Sequence, residues 1–166
     1  MRALISVSSK ESVAEFAAKL EEMGVEIIAT EGTASYLESR GVRVKHLSEM
    51  TGLRETPELK TLYPAVYEAI FSGEIDMVVV DLYPFEDMPC VENIDVGGVS
   101  LLRAASKNYR QVMAISTPEQ YEEVVENLVN GVTEEFRLKL ACEAFERIAR
   151  YDMAIARWFC SLCSSL

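Results

Sequence analysis

At 166 residues, with 49% hydrophobic and 26% charged side chains, the chain has the balance of one globular domain, large enough to bury a core without staples. Its formal net charge of −11 argues against nucleic acid as a partner, because phosphate backbones demand a basic face, yet a few local donors suffice for a small phosphorylated ligand. A single histidine, His46, rules out a His-rich metal site. Cys90, Cys142, Cys160 and Cys163 are too few and too clustered for a disulfide framework.

The chain opens on Leu4-Ile5-Ser6-Val7-Ser8, an apolar strand. A strand pattern from the first residues leaves no place for a signal peptide, and no apolar window could span a bilayer. No membrane association and a cytoplasmic location are therefore expected. Ser8-Ser9-Lys10-Glu11 looks like a helix cap, followed by Val13, Phe16, Ala17 and Leu20 at helical spacing. Val25 to Ala29 is a second strand. Thr30-Glu31-Gly32-Thr33 turns into a second helix with Ala34 and Leu37, stopped at Gly41. Val42-Arg43-Val44 starts a third strand. This β-α-β-α-β order predicts a mostly parallel sheet.

From Ser48 to Lys60 periodicity is lost, and Thr51, Gly52 and Pro57 read as a long loop of the kind that carries function. Leu62 to Phe71 has helical content, and Asp76 to Val80 is a buried fourth strand. Val112 to Ile115 reads as a fifth strand, with Pro118 starting a helix faced by Tyr121, Val124, Val125 and Leu128. The remainder, about residues 133–165, is predicted as helices: a stripe of Phe136, Leu140, Ala144, Phe145 and Ile148, then a last segment capped by Asp152 and carrying Ile155, Trp158, Phe159 and Leu162. Cys160-x-x-Cys163 has metal or redox spacing but no second pair, and in this helical tail it reads as structural. The chain is expected to form one domain over residues 1–166.

The chemistry gathers where strands end. Two strand-to-helix turns, Ser6 to Lys10 and Thr30 to Thr33, offer hydroxyls, a lysine and helix N-termini, and Gly32 permits close backbone approach. Each alone reads as ordinary capping; both opening on one sheet edge favour a phosphate cradle. Asp81 to Asn108 begins as the fourth strand ends, the position at which open α/β sheets bind ligands. It brings a phenol, a carboxylate and an amine into one segment, which is acid/base equipment without histidine. Singly, each group has a plain alternative. Lys60-Thr61 can be a solvated lysine and a cap, Tyr83 a packed aromatic, Asp95 the start of a helix, and Lys107 a cation at a helix C-terminus.

Five motifs occur in order: Ser6-Val7-Ser8-x-Lys10, Gly32-Thr33-Ala34, Lys60-Thr61-Leu62-x-Pro64, Leu82-Tyr83-Pro84-Phe85, and Ile94-Asp95-x-Gly97-Gly98 continuing to Leu102-Arg103-Ala104-Ala105-x-Lys107-Asn108. Together they resemble the inosine monophosphate cyclohydrolase domain of the bifunctional purine-biosynthesis enzyme, from Leu4 to about Phe159. The resemblance implies a methylglyoxal-synthase-like α/β three-layer sandwich around a mostly parallel five-stranded sheet, with added C-terminal helices. It implies closure of the purine ring of 5-formamidoimidazole-4-carboxamide ribotide with loss of water, without metal or organic cofactor. Ser8, Lys10, Thr30, Gly32 and Thr33 would hold the ribotide phosphate, and Ser6, Thr61, Asp81, Leu82, Val96 and Gly97 would complete the substrate site. Lys60 and Tyr83 would stand by the formyl group, Asp95 and Lys107 by the carboxamide. A homodimer joined through the C-terminal helices is expected. The formyltransferase half of the bifunctional enzyme is not in the sequence, so a separate formyltransferase would supply the substrate.

Several positions depart from that family. Glu31 stands where glycine is usual, beside the expected phosphate; at roughly 4 Å and an effective dielectric near 20 the repulsion would be about 4 kcal/mol per unit charge, so its side chain must point away. Glu58 replaces an arginine, Tyr63 and Tyr67 replace histidines, Asp81 replaces an asparagine, and the stretch from Phe71 to Asp76 is short. If Val99 to Ser106 is a straight helix, Gly98 and Lys107 stand roughly 13 Å apart, and Lys107 meets Asp95 only if that helix breaks or the chain folds back. The alternatives are a methylglyoxal-synthase-like lyase, which Tyr83-Pro84-Phe85 opposes, and a nucleotide-sensing regulatory module, which Glu31 and Glu58 favour.

Overall fold

The alternation of β-branched runs with amphipathic helices produces a five-stranded sheet, every neighbouring pair parallel. The computed structural model describes residues 1–56 and 59–164. In chain order the elements are β1 (Arg2–Val7), α1 (Val13–Glu22), β2 (Glu26–Ala29), α2 (Glu31–Ser39), β3 (Lys45–His46), α3 (Leu47–Thr51), α4 (Pro64–Ser72), β4 (Met77–Asp81), α5 (Gly97–Lys107), β5 (Met113–Ile115), α6 (Tyr121–Asn130) and α7 (Glu134–Cys163). The strand order is β3-β2-β1-β4-β5. The order reverses between β1 and β4, which opens a crevice at their carboxyl ends.

Strand side chains alternate between two apolar layers, as the pleat requires. Ala3, Ile5 and Val7 with Ile27 and Val79 pack against Phe16 and Leu20 of α1, Leu37 of α2 and Tyr121 and Val124 of α6. Leu4, Ile28, Val78 and Val80 face Val66 and Ile70 of α4, Leu101 and Leu102 of α5, and Ile148 of α7. The expected three-layer sandwich is thus present. Helix α7 passes beside β5 and supplies both layers, Phe136 and Leu140 to the first and Ala144 and Ile148 to the second.

Four local expectations are corrected. Ser8 to Glu11 is not the start of α1, which begins at Val13 after Ser12 in a left-handed conformation (φ 56°). The reason is that Ser8 and the Ser9 amide are spent on Asp81, and Lys10 on the Val7 carbonyl and Thr33, rather than on the helix. The third strand is not Val42–Val44: Val42 closes α2 through its amide on the Leu37 carbonyl, 3.1 Å, and pairing begins at Lys45. The stretch after His46 is not all loop, because α3 forms there, helped by the Glu49 carboxylate accepting from the His46 amide at 2.8 Å. The C-terminal segment is one continuous helix. Asp152 lies inside it on the exposed side and caps nothing, and Phe145 leaves the buried stripe. The true cap is Thr133, whose hydroxyl accepts from the Phe136 amide at 3.1 Å, worth about 1 kcal/mol.

Candidate functional site

The carboxyl ends of β1, β2 and β4, the loop before α4 and the N-terminus of α5 enclose a cleft of about 300 Å³. Of the residues singled out from sequence, Ser6, Ser8, Lys10, Thr30, Gly32, Thr33, Lys60, Thr61, Asp81, Tyr83, Asp95, Val96 and Gly97 all line it. Leu82 does not; it is buried and borders a separate hollow of about 540 Å³ on the far side of Asp81 and Tyr83, walled by Phe85, Arg147, Arg150 and Tyr151. Lys107 is placed elsewhere again. Helix α5 runs unbroken from Gly97 to Lys107, which puts its ends roughly 15 Å apart. The Lys107 amine lies exposed, 5.5 Å from the centroid of the Phe71 ring. The break that would have joined Lys107 to Asp95 is absent.

One side of the cleft is a cluster of hydroxyls and an amine. Lys10 Nζ donates to the Val7 carbonyl at 2.7 Å and to Thr33 Oγ1 at 3.1 Å, and half-burial lowers its pKa, partly offset by Asp81. Thr30 Oγ1 reaches Ser6 Oγ and Thr33 Oγ1, each at 3.4 Å. Asp81 holds the floor: Oδ2 accepts from Ser8 Oγ (3.1 Å) and the Ser9 amide (3.0 Å), while Oδ1 accepts from Arg147 Nη2 at 3.1 Å. The Glu31 carboxylate points away from this cluster, toward His46 Nδ1 at 3.1 Å, while its amide donates to Glu55 Oε1 at 2.9 Å. The expectation attached to Glu58 falls outside the described residues.

The other side carries the reactive groups. Lys60 adopts a left-handed backbone (φ 37°), uncommon for a side-chain-bearing residue. Its amine donates to the Tyr83 hydroxyl and lies 4.7 Å from the ring centroid. Asp95 Oδ1 accepts from the Gly98 amide at 2.7 Å, at the start of α5. Burial raises the Asp95 pKa; the Gly98 and Tyr83 backbone amides and Lys60 pull it partly back. The two glycines are a matter of space. A Cβ on Gly97 would stand 2.7 Å from Thr61 Oγ1, and one on Gly98 would stand 2.5 Å from Asp95 Oδ2 and 2.9 Å from Val80. Only glycine lets Thr61 and Asp95 close on the helix N-terminus. Thr61 Oγ1 is buried and has no hydrogen-bond partner among the described residues, so it is a donor waiting in the cleft wall.

A model described as the MGS-like domain matches residues 12–110. The chain belongs to the MGS-like domain family. A second model, described as AICARFT/IMPCHase bienzyme, matches residues 105–165. Among curated proteins, the bifunctional purine biosynthesis protein PurH of Aquifex aeolicus is 41% identical over 191 aligned positions, covering 99% of this chain and 38% of that protein. PurH of Rhodopirellula baltica is 40% identical over 183 positions, covering 93% of this chain and 35% of that protein. The chain therefore spans little more than a third of these relatives. A solved structure, the crystal structure of ForH, superposes with a TM-score of 0.85 at 30% identity, covering 96% of each chain.

In this MGS-like domain, sequence reasoning missed three residues that shape the cleft. Arg147 of α7 grips Asp81. Tyr151 accepts from the Asp95 amide at 2.8 Å and donates to the Asn93 carbonyl at 2.9 Å. Glu55 lines the cleft and accepts from the Glu31 amide. No helix among the described residues is long and apolar enough to cross a membrane.

Proposed function

We propose that this domain is an inosine monophosphate cyclohydrolase, closing 5-formamidoimidazole-4-carboxamide ribotide to inosine monophosphate and water. The observation that carries the reading is the meeting of the Lys60–Tyr83 pair, the half-buried Asp95 carboxylate and the unpartnered Thr61 hydroxyl in one cleft, beside the hydroxyl–amine cluster of β1 and β2. Similarity to bifunctional purine biosynthesis proteins supports it.

The phosphate would lie against Ser8, Lys10, Thr30, Gly32 and Thr33, which places the base across the cleft. The carboxamide nitrogen attacks the formyl carbon, a C–N bond forms, and the formyl oxygen gains charge. Asp95, its pKa raised by burial, is suited to take the amide proton, since a base poised nearer neutrality transfers protons more effectively. Lys60, Tyr83 and the amides at Gly97 and Gly98 can stabilise the oxyanion. Protonation of that oxygen gives the carbinol; loss of the formamido nitrogen's proton, formation of the ring C=N bond and a second proton on the oxygen then release it as water. Every step is an addition, a proton transfer or a dehydration, so the reading calls for no cofactor. Lys107 has no part in its own chain's cleft; any chemical role for it belongs in the cleft of a second copy, which fits a homodimer. A formyltransferase would supply the substrate.

The test is ultraviolet detection of inosine monophosphate formed from the formylated ribotide. A well-folded protein that forms none would remove the reading. One observation favours a nucleotide-sensing module instead, the exclusion of Lys107 from the cleft; binding of inosine monophosphate without ring closure would select it.

A further inference from the structure

The amides at the start of α2 are where an incoming phosphate would be received, because unpaired N–H groups and the helix dipole both favour negative charge. That place is already taken. Glu55 Oε1 accepts from the Glu31 amide at 2.9 Å, inside the cleft that also holds the buried, unpartnered Thr61 hydroxyl. Glu31 turns its own carboxylate to His46, so the anion resident at this helix end is Glu55.

The contact is costly to hold. Burial pushes the Glu55 carboxyl upward and the Glu31 charge adds to this; the Glu31 amide, His46 and Lys60 pull it partly back. A phosphate dianion offers three acceptor oxygens to the same donors. Two anions cannot share one amide in a half-buried place, since the Coulomb repulsion at contact is several kcal/mol. Occupancy by Glu55 and by phosphate is mutually exclusive.

Glu55 sits five positions before Lys60 in the segment linking α3 to α4. Nearby, the Tyr63 hydroxyl donates to the Arg54 carbonyl at 2.9 Å, and the Lys60 amide to the Thr56 carbonyl at 2.9 Å. We propose that Glu55 is an internal competitor for the phosphate of a phosphorylated small-molecule ligand, holding the Glu31 amide at the α2 N-terminus until the phosphate displaces it. The proposal rests on the phosphate-binding half of the reading above. A ligand lacking phosphate leaves Glu55 on the Glu31 amide.

The experiment titrates inorganic phosphate at constant ionic strength into the isotope-labelled protein and its Glu55→Gln and Glu55→Ala variants, following the Glu31 and Gly32 amide resonances. The expected result is a midpoint at least about fivefold lower in both variants, the scale of one charged group at a helix end. Thermal melting checks the fold of each. If Glu55→Gln melts early, Glu55→Asp, one methylene shorter, is expected to shift the midpoint in the same sense. Equal midpoints, weaker binding in the variants, or amides unmoved in every protein would overturn the proposal. The ring-closure assay is a separate readout. No inosine monophosphate with a shifted midpoint removes the purine substrate and keeps the competition; ring closure with equal midpoints does the reverse.

Discussion

The Tyr151 hydroxyl is clamped between the Asp95 amide and the Asn93 carbonyl, at 2.8 and 2.9 Å. The final helix thereby fixes the loop whose carboxylate enters the cleft. Phe85 packs edge-on to Tyr151 with ring centroids 6.2 Å apart, and to Trp158 at 5.6 Å, so two rings of α7 hold it. Tyr151→Phe keeps that packing and removes both hydrogen bonds. The expected cost is about 1–2 kcal/mol in urea unfolding, with kcat falling about tenfold and KM changing less, because Asp95 is misplaced rather than lost. An unchanged kcat would show that the loop holds Asp95 without its clamp.

Asp95 itself ties stability to pH. Its folded pKa lies above the ordinary 3.8, chiefly through burial, so the fold prefers the protonated acid. The benefit is complete below the ordinary value and is lost as pH rises through the folded one. Asp95→Asn stays neutral and can still accept from the Gly98 amide. Its melting temperature is expected to exceed that of the unaltered protein at pH 7, with the advantage shrinking toward pH 4, while turnover falls about 10²-fold. A variant that melts lower at pH 7 would mean that the charge itself is needed at the α5 N-terminus.

His46 works in a different pH range. Glu31 Oε2 lies 3.1 Å from Nδ1 and Glu38 Oε1 lies 3.2 Å from Nε2, and these bonds, Glu31 first, raise its pKa above 6.5. The stabilisation is full below 6.5 and is lost as pH rises through the higher folded value. Both carboxylates are exposed, so the effect is small and screened. Melting temperature is expected to decline between about pH 6 and about pH 8, and His46→Gln is expected to flatten that slope. A slope that survives the substitution would assign it to another group.

Exposed apolar side chains along α7, with Phe145 at 41%, Met153 at 53%, Phe159 at 45% and Leu162 at 46%, predict self-association into a dimer visible by sedimentation. Lys60→Ala and Lys107→Ala are each expected to lose about 10²-fold in turnover. Mixed and allowed to exchange, half the dimers pair one variant with the other, and one of their two clefts then has both lysines. Recovery of about a quarter of the unaltered activity is expected from that symmetry. No recovery in a sample shown to exchange would exclude Lys107 from a neighbour's cleft.

Most of the framework could be read from local pattern, because a buried parallel strand must be a continuous apolar run. Leu4 to Val7, interrupted only by Ser6, and Ile27 to Ala29, Met77 to Val80 and Met113 to Ile115 are such runs. Strand β3 has only two residues, and its place depends on pairing with β2 rather than on its own character. Helix α7 looked like two because Asp152 resembles a cap, yet an exposed aspartate is tolerated within a helix whose other face is packed. In the cleft, Ser8, Lys10, Thr30, Lys60, Tyr83 and Asp95 were visible because they stand at strand ends or in short motifs. Glu55, Arg147 and Tyr151 were not, since their partners lie 24, 66 and 56 positions away in the chain. Only the fold makes them neighbours.

Asp81 borders both hollows at once. With one oxygen on Arg147 and the other on Ser8 and Ser9, it is a shared partition whose charge is divided between the two rooms. An anion entering beside Ser8 competes for the donors that Asp81 uses, and Arg147 is the only charged donor it keeps on the far side among its hydrogen bonds. Traffic through one room is therefore audible in the other, and a substitution at Arg147, outside the cleft altogether, would retune what binds within it.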